Sequence, residues 1–302
     1  MANKKVLAAD GADVQEAVVI EKPESRFKAM WDTLKKNKAA LFGLFVIIIL
    51  IIIAIIGPYI TPYEPNKQIM KDAYQGPSAS HWFGTDNLGR DIFSRIIVGT
   101  RVSLFVGVAA VAFSLLIGTV LGSIAGYFGG KIDAVIMRLM DIMLSIPSIL
   151  LAITLMAALG KGIDKAIIAI GVVSIPEYAR IIRSSILSTK ENDYVAAAKV
   201  LGNSDGRIIF HHIIPNVVSS IVVRATLGIS TAILDTAALG FLGLGVQPPT
   251  AEWGDMLGRV RSMVLVYPYM LIFPGLAITL AVLAFNLFGD GLRDALDPKS
   301  RS

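Results

Sequence analysis

The sequence Ala39-Ala-Leu-Phe-Gly-Leu-Phe-Val-Ile-Ile-Ile-Leu-Ile-Ile-Ile-Ala-Ile-Ile-Gly-Pro-Tyr-Ile-Thr-Pro-Tyr63 contains no charged side chain. About 20 consecutive apolar residues are enough to span the hydrocarbon core of a bilayer as an α-helix. Three further uncharged runs of comparable length occupy residues 102–130, 142–160 and 262–289. Runs of this length are longer than the apolar stretches of a soluble domain, so we predict an all-α polytopic membrane protein.

The composition of the whole chain agrees with this prediction. Hydrophobic residues make up 54% of the 302 residues and charged residues 17%, whereas soluble proteins carry about 25% charged residues. Cysteine is absent, which excludes disulfides, thiolate metal sites and cysteine nucleophiles. His211 and His212 are adjacent and would point about 100° apart on a helix, so we expect no shared metal ion.

Six transmembrane helices are predicted, and two of them contain charged residues. The fourth includes Glu177 and Arg180, and the fifth includes Arg224 and Asp235. Charges in hydrocarbon are costly unless they face protein or water. A five-span alternative would place the two termini on opposite sides of the membrane. The six predicted spans lie near residues 39–60, 102–126, 137–158, 166–186, 217–243 and 266–288.

The segments outside the spans set the boundaries and the orientation. Residues 1–25 have mixed charge and little periodicity, and we predict a mobile leader. Residues 26–38 combine apolar positions at helical spacing with lysines, as in an amphipathic helix at a membrane surface. The membrane domain is then 39–302. With the N-terminus inside, about two thirds of the 28 lysine and arginine residues fall on the inner side, so both termini are predicted to be cytoplasmic.

Glycine and proline positions predict how the helices pack and bend. Glycines spaced by four residues let another helix approach closely, and we favour packing within the chain over contact with a partner. These glycines are Gly118, Gly122, Gly126 and Gly130. Prolines inside apolar runs break the helical hydrogen-bond ladder, so kinks are expected. The prolines concerned are Pro147, Pro176 and Pro274.

A mixed polar and apolar segment lies on the predicted cytoplasmic side. It reads Asp193-Tyr-Val-Ala-Ala-Ala-Lys-Val-Leu-Gly202, followed by Asn203-Ser-Asp-Gly-Arg-Ile-Ile-Phe-His-His-Ile-Ile-Pro215-Asn216. Alanine favours helix, and glycine at a helix end supplies a left-handed residue. We therefore predict a short helix that stops at Gly202 and a second helical piece that ends at Pro215. Such a helix on the water side offers a rigid docking surface, and we name residues 187–216 the docking loop.

The outer loop 61–101 ends in a polar segment that precedes the second span. Its sequence His81-Trp-Phe-Gly-Thr-Asp-Asn-Leu-Gly-Arg90-Asp91-Ile-Phe-Ser-Arg95 predicts a short amphipathic helix with an Asp91 to Arg95 pair. Structural packing and contact with a substrate-delivery protein are both open roles for this loop.

Candidate chemistry is sparse. The segment Gly126-Tyr-Phe-Gly-Gly-Lys131-Ile132 lacks the first glycine and the hydroxyl residue of a phosphate loop, so we expect no ATP hydrolysis by this chain. Charged residues within the spans are functional candidates and keep a proton-coupled carrier open as an alternative. Neighbours in sequence offer a simpler explanation, because Arg138 would pair with Asp141 and Glu177 with Arg180.

Several motifs resemble those of a known family. Ala196-Ala197-Ala198, Gly202 and Ile213-Ile-Pro215 resemble the loop that ABC importer permeases present to their ATPases, with Ala for Glu and Ile for Leu. The resemblance covers the chain from about residue 26 and includes further segments. It is closest to the C-type permease subunit of bacterial dipeptide or oligopeptide importers, in the peptide and nickel family. The further segments are Arg138-Leu-Met-Asp141-Ile-Met-Leu-Ser-Ile-Pro147, Ile233-Leu-Asp235-Thr-Ala-Ala-Leu-Gly-Phe-Leu-Gly-Leu-Gly245, Gln247-Pro-Pro249, Glu252-Trp-Gly254 and Phe285-Asn-Leu-Phe-Gly-Asp290-Gly-Leu-Arg293-Asp-Ala-Leu-Asp297-Pro298.

This resemblance implies the type I ABC importer permease fold in a bacterial cytoplasmic membrane. It implies a second homologous permease, two cytoplasmic ATPases that hydrolyse the ATP, and an extracytoplasmic peptide-binding protein. No nucleic-acid partner, catalytic residue, cofactor site or metal site is expected, and lipid surrounds the spans. The implied ATPase-docking residues are Ala196, Ala197, Ala198, Gly202 and Pro215. The candidates for the translocation path are Pro147, Asp235 and Trp253.

Alternatives remain open for the substrate and for the class of membrane protein. Within the family, nickel, glutathione and antimicrobial peptides compete with dipeptides, because substrate selection belongs largely to the binding protein. Outside the family, a secondary carrier would respond to a proton gradient without an ATPase. A structural membrane scaffold would give no transport.

Overall fold

The computed structural model describes residues 26–296, and these residues are almost entirely helical. The predicted mobile leader 1–25 lies outside the described residues. Within 26–296 the only strand-like pairing is an isolated bridge between Thr85 and Asp91, so the all-α prediction is confirmed. The helices are α1 (Arg26–Leu34), α2 (Lys38–Ile60), α3 (Ile92–Phe128), α4 (Gly130–Leu144), α5 (Ser148–Leu159), α6 (Ile163–Thr189), α7 (Asp193–Val200), α8 (Asp205–Arg207), α9 (Ile214–Phe241), α10 (Trp253–Val260) and α11 (Tyr269–Leu296), with a 3₁₀ turn at Met70–Asp72 and a π-helical segment at Ile208–Ile213.

Four helical stretches are long and apolar enough to cross a membrane. They are α2, α3, the continuous run Asp205–Phe241 and α11. A fifth crossing exists if α4 and α5 form one broken span, since they meet at a bend of 92°. The remaining predicted span, 166–186, is helical as part of α6, but Glu177, Arg180 and Arg183 interrupt its apolar character. Six spans therefore remain a prediction from the sequence.

The break predicted at Pro147 and most of the predicted glycine contacts are confirmed, whereas kinks at Pro176 and Pro274 stay predictions. Pro147 lies at the break between α4 and α5 and accounts for the bend there. Pro176 and Pro274 lie inside α6 and α11. A methyl group at Gly118 would lie 2.5 Å from Cβ of Tyr178 and one at Gly126 2.9 Å from the carbonyl oxygen of Arg183.

The glycine face of α3 therefore packs against α6 within the chain. Gly122 meets the backbone of Ala179 in the same way, so three of the four predicted glycines serve this contact. Gly130 does not, because it begins α4 in open space with φ of +56°. Buried apolar residues of α3, α6 and α9 form one core cluster, and residues of α2, α3, α9 and α11 form another.

The N-terminal helix is shorter than predicted. It ends at Leu34, and Asn37 begins the next helix by accepting a hydrogen bond from the Ala40 amide at 3.1 Å. Leu34 is buried together with Ala40 and Ala295 of α11, so α1 contacts the end of the last helix. Its position at a membrane surface stays a prediction.

From Phe42 onward the exposed positions of α2 carry apolar side chains, with one polar atom, the Tyr59 hydroxyl, close to the end of the helix. This is the surface that lipid favours, because nearly all of it lacks polar groups that need a partner. The exposed residues are Phe42, Phe45, Ile48, Ile49, Ile51, Ile52, Ile55, Ile56, Tyr59 and Ile60.

The predicted Asp91 to Arg95 pair is wrong. Asp91 precedes the first residue of α3, has an extended backbone, and accepts the Ser94 amide at 2.8 Å as the helix cap. Its other oxygen lies 2.9 Å from Nδ1 of His81. Arg95 instead donates to the Pro65 carbonyl at 3.1 Å and to Asn66 at 3.0 Å. The short helix predicted at the end of the outer loop is the first part of α3.

Candidate functional site

The alanine-rich helix of the docking loop ends where the sequence predicts. Gly202 has φ of +77°, in the left-handed region that favours glycine. The Gly202 amide donates to the Lys199 carbonyl at 3.0 Å, and the Asn203 amide donates to the Ala198 carbonyl at 3.2 Å. This pair of bonds is a Schellman motif, and the Asn203 side chain adds a third bond to Ala198 at 2.9 Å. The end of α7 is therefore fixed rather than frayed.

One face of α7 is buried and the other is open. Val195 and Ala198 belong to the core cluster that includes residues of α6 and α9, while Ala196 and Ala197 are exposed. Three large apolar side chains of the docking loop are more exposed still. They are Val200 at 86%, Leu201 at 81% and Phe210 at 61%. Exposed apolar groups beside a polar surface are typical of a protein contact, and the sequence prediction did not include these three.

The helical piece after Gly202 does not end at Pro215. Pro215 lies in the first turn of α9, which continues to Phe241. Proline is tolerated in a first turn because its missing amide would be unpaired there. The π-helical turn Ile208–Ile213 precedes it, and the Ile214 amide donates to the Ile209 carbonyl. A continuous but irregular helical run therefore leads from the docking loop into the membrane.

Three hydrogen bonds attach the docking loop and its flanks to the ends of the long helices. The Tyr127 hydroxyl at the end of α3 donates to Asp205 at 2.7 Å. Lys190, which follows α6, donates to the Gly126 carbonyl at 3.1 Å. Asn216 of α9 donates to the Tyr194 hydroxyl at 3.2 Å. The bond from Asn216 joins α7 itself to α9, and Val195 and Ala198 pack α7 into the core cluster that includes residues of α6 and α9. The other two bonds join the segments on either side of α7 to α3.

The three candidates for the path occupy different environments. Pro147 is exposed at the bend between α4 and α5, and Asp235 is partly buried in α9. Trp253 is only 1% exposed, and its Nε1 donates to the Ile96 carbonyl at 3.1 Å. Trp253 therefore joins α10 to α3. Because its side chain is buried, it would influence a translocation path only through the positions of these two helices. A path role for the three stays a prediction.

A buried carboxylate beside Trp253 was not identified as a separate feature from the sequence. Glu252 caps α10 by accepting the amides of Gly254 and Asp255, each at 2.8 Å. Ser103 of α3 donates to the same carboxylate at 3.2 Å. Burial raises the pKa of Glu252 to about 7, although the three hydrogen bonds act in the opposite direction. Glu252 therefore fixes the segment between the fifth and sixth predicted spans against α3.

Three ion pairs in and beside the predicted spans join different helices, so the predicted local pairs are wrong. Arg180 donates to Asp141 of α4 at 2.7 Å, and Arg224 of α9 pairs with Glu177. Arg183 forms a bidentate pair with Asp133, with both N–O distances at 2.5 Å. The packing of α6 against α4 and α9 supplies these partners, which sequence separation does not reveal. Among the described residues there is no group of three or more His, Asp or Glu side chains that could hold a metal ion.

Two family models match the chain. The model described as binding-protein-dependent transport system inner membrane component matches residues 118–302, which is more than half of the chain. The model described as N-terminal TM domain of oligopeptide transport permease C matches residues 25–77.

Curated relatives match along most of their length. A dipeptide transport system permease protein of Alkalihalophilus pseudofirmus is 51% identical over 286 residues, covering 93% of this chain and 94% of the relative. A glutathione transport system permease protein of Pectobacterium atrosepticum is 48% identical over 270 residues, covering 89% of each. A dipeptide transport system permease protein of Haemophilus influenzae is 46% identical over 283 residues, covering 92% of this chain and 96% of the relative.

A solved structure has a similar fold. A chain of the MetNI methionine ABC transporter, in an inward-facing conformation, superposes with a TM-score of 0.56 at 18% identity. The match covers 67% of this chain and 96% of that chain. At this identity the likeness concerns the fold alone.

Proposed function

Because the chain belongs to the family of binding-protein-dependent transport system inner membrane components, we propose that it is the permease subunit of an ATP-driven importer of dipeptides or short oligopeptides. The relatives named for dipeptide transport, at 51% and 46% identity over most of both chains, support this substrate class. Its place is a cell membrane, which it crosses several times.

The observation that carries the proposal is the form of the docking loop. A helix with a fixed end presents Ala196 and Ala197 to solvent, and the exposed Val200 and Leu201 follow directly. An apolar surface of this kind is costly in water unless a partner covers it. We assign this surface to a cytoplasmic ATPase subunit. Each of two ATPases would bind one permease, this chain or a homologous second one.

The coupling follows from the attachments of the docking loop. When ATP closes the ATPase pair, α7 moves with its ATPase, and the contacts to α3, α6 and α9 carry that motion into the membrane domain. The bilayer-spanning helices then change between an inward-open and an outward-open arrangement. Both termini and the docking loop lie in the cytoplasm in this proposal, and an extracytoplasmic binding protein delivers the peptide to the outer side.

Glutathione is the second candidate substrate, because a relative named for glutathione transport is 48% identical to this chain. Glutathione is itself a small peptide with charged ends, so a path for dipeptides suits it chemically.

Reconstitution tests the proposed function. The tagged chain is purified with a second permease and two ATPases, placed in lipid vesicles, and supplied with the binding protein and a labelled dipeptide. We expect uptake that requires ATP and is unaffected by a proton gradient. Excess unlabelled dipeptide should compete more strongly than glutathione. Uptake by the chain alone under a proton gradient would contradict the proposal and favour a secondary carrier.

A further inference from the structure

The second half of α6 exposes a stripe of polar side chains. From residue 170 to residue 189, the exposed positions are Glu177, Arg180, Ser184 and Ser188. Their spacing of three or four residues places them on one side of the helix. From Phe42 onward the exposed side chains of α2 are apolar apart from the Tyr59 hydroxyl, so the two helices face different surroundings. Lipid suits the face of α2, whereas the stripe on α6 requires water or protein.

The stripe contains two ion pairs to neighbouring helices, and both are open to the surroundings. In the pair of Glu177 with Arg224, the side chains are 50% and 28% exposed. In the pair of Arg180 with Asp141, they are 55% and 54% exposed. Glu177 lies near the middle of α6, about half the length of the helix from either end. If α6 crosses the membrane as predicted, a charged pair exposed at this depth faces water or protein rather than lipid.

The Glu177–Arg224 pair differs from a purely structural pair on the same helix. Arg183 uses both Nε and Nη2 to bind both oxygens of Asp133, and the exposed fractions are only 30% and 17%. In contrast, Nε of Arg224 is buried and has no hydrogen-bond partner within residues 26–296. The guanidinium carbon lies 5.9 Å from the centre of the Tyr178 ring, which holds the group from one side. Arg224 is thus positioned but incompletely paired.

We propose that Glu177 and Arg224 form a recognition site for the charged ends of a zwitterionic peptide as it crosses the membrane. The Glu177 carboxylate accepts hydrogen bonds from the peptide ammonium, and the Arg224 guanidinium donates to the peptide carboxylate. In the absence of peptide the two side chains neutralise each other. This inference rests on the proposed function.

Charge complementarity supports this occupant. A dipeptide carries one positive and one negative end, and each loses water when it enters a narrow path. Taking a charge out of water is costly, and an opposite charge repays that cost only when it comes with good geometry and hydrogen bonds. An acid and a base side by side on an exposed stripe provide both opposite charges. A charged surface of the second permease is the competing occupant and is decided by the experiment.

The test uses the reconstituted complex with ATP, binding protein and a labelled dipeptide. Glu177→Gln and Arg224→Gln should each lower uptake by about tenfold or more, as for the loss of one charge-assisted contact. The exchange Glu177→Arg with Arg224→Glu keeps an ion pair but reverses its direction along the path. We expect the exchanged complex to assemble and its uptake to stay about tenfold below the unaltered complex.

A matched exchange on the same helix serves as control. Asp164 and Lys165 form an exposed pair at 2.6 Å at the start of α6, away from the stripe. The exchange Asp164→Lys with Lys165→Asp should leave uptake unchanged. A further variant, Arg224→Lys, keeps the positive charge but loses the planar fork, and it should raise KM for the dipeptide.

The outcomes distinguish failure of the recognition site from failure of the proposed function. Restoration of uptake by the Glu177 and Arg224 exchange would show that only the ion pair within the chain matters, and failure of the exchanged chain to co-purify with the second permease would show that the pair binds that subunit. Either result would overturn the recognition site. An unchanged KM in Arg224→Lys would overturn it as well. Failure of the unaltered complex to import dipeptides would instead refute the proposed function.

Discussion

The substitution Gly202→Asp separates docking from folding. Gly202 is the left-handed residue that ends α7, with φ of +77°, and a Cβ atom there meets no other atom within 4 Å. The cost to the fold is therefore limited to the left-handed backbone, about 1 kcal/mol, and aspartate is among the residues that tolerate this region. The chain should insert into the membrane in normal amount.

The effect on docking is expected to be much larger. The new carboxylate would lie next to Val200 and Leu201, which are the most exposed apolar side chains of the docking loop. An ATPase that covers these side chains would bury the charge, at a cost of several kcal/mol. A loss of about 3 kcal/mol corresponds to a loss of affinity of more than about 100-fold. Peptide uptake should be abolished.

Three measurements and a matched control test this prediction. Membrane content is measured by quantitative blotting and ATPase binding by co-purification, and uptake is measured in vesicles. Gly202→Asn has the same shape and backbone preference without the charge, so it should retain most of the ATPase binding. Normal peptide-dependent uptake by Gly202→Asp would refute the docking assignment. Equal loss with Gly202→Asn would indicate that backbone geometry, not burial of charge, is responsible.

Three further predictions concern stability. Gly122→Leu places a side chain into the backbone of α6, and overpacking of this kind costs about 1–3 kcal/mol or more. The melting temperature of this variant in detergent should therefore fall. The control Gly275→Ala adds a methyl group in open space and should leave the melting temperature nearly unchanged. Trp253→Phe removes the hydrogen bond to Ile96 and should cost about 1 kcal/mol of unfolding free energy, whereas Trp253→Ala should cost about 3–5 kcal/mol. The pKa of Glu252 is raised from 4.5 to about 7 by burial, so its contribution to stability is complete below pH 4.5 and is lost as the pH rises through about 7. Melting temperatures across this range should show the decline, and Glu252→Gln should flatten it; a steeper decline in that variant would contradict the assignment.

Much of the helical framework follows from sequence because the bilayer imposes a simple rule. The uncharged runs around Ile47, Val111 and Leu280 correspond to α2, α3 and α11, since a helix needs about 20 mostly apolar residues to cross the hydrocarbon core. The end of α7 could also be predicted, because the left-handed residue that ends a helix is usually glycine, here Gly202. Pro147 predicted a break, and the structure places a 92° bend there.

The charged pairs could not be predicted in this way because they depend on which helices are neighbours. Glu177 has Arg180 three residues away, yet it pairs with Arg224 on another helix. The sequence also does not reveal which apolar side chains of the docking loop are exposed. Valine and leucine are usually buried, yet Val200 and Leu201 lie on the surface, directly before the left-handed turn at Gly202. Their position beside a predicted helix end, on the predicted cytoplasmic side, was the one signal in the sequence that could have indicated this exposure.

The central claim, that the docking loop binds an ATPase, is tested most directly by cross-linking at Ala197. The sequence contains no cysteine, so Ala197→Cys provides a single thiol on the exposed face of α7, and a benzophenone maleimide attached to it reacts with whatever protein lies against it. Ile55→Cys, on the exposed apolar surface of α2, is the matched control. In a complex that imports dipeptides, we predict that Cys at 197 cross-links in high yield to a subunit carrying the Gly-x-x-x-x-Gly-Lys-Ser/Thr phosphate loop, and that Cys at 55 does not. A transport-active complex with no such cross-link from 197 would contradict the account.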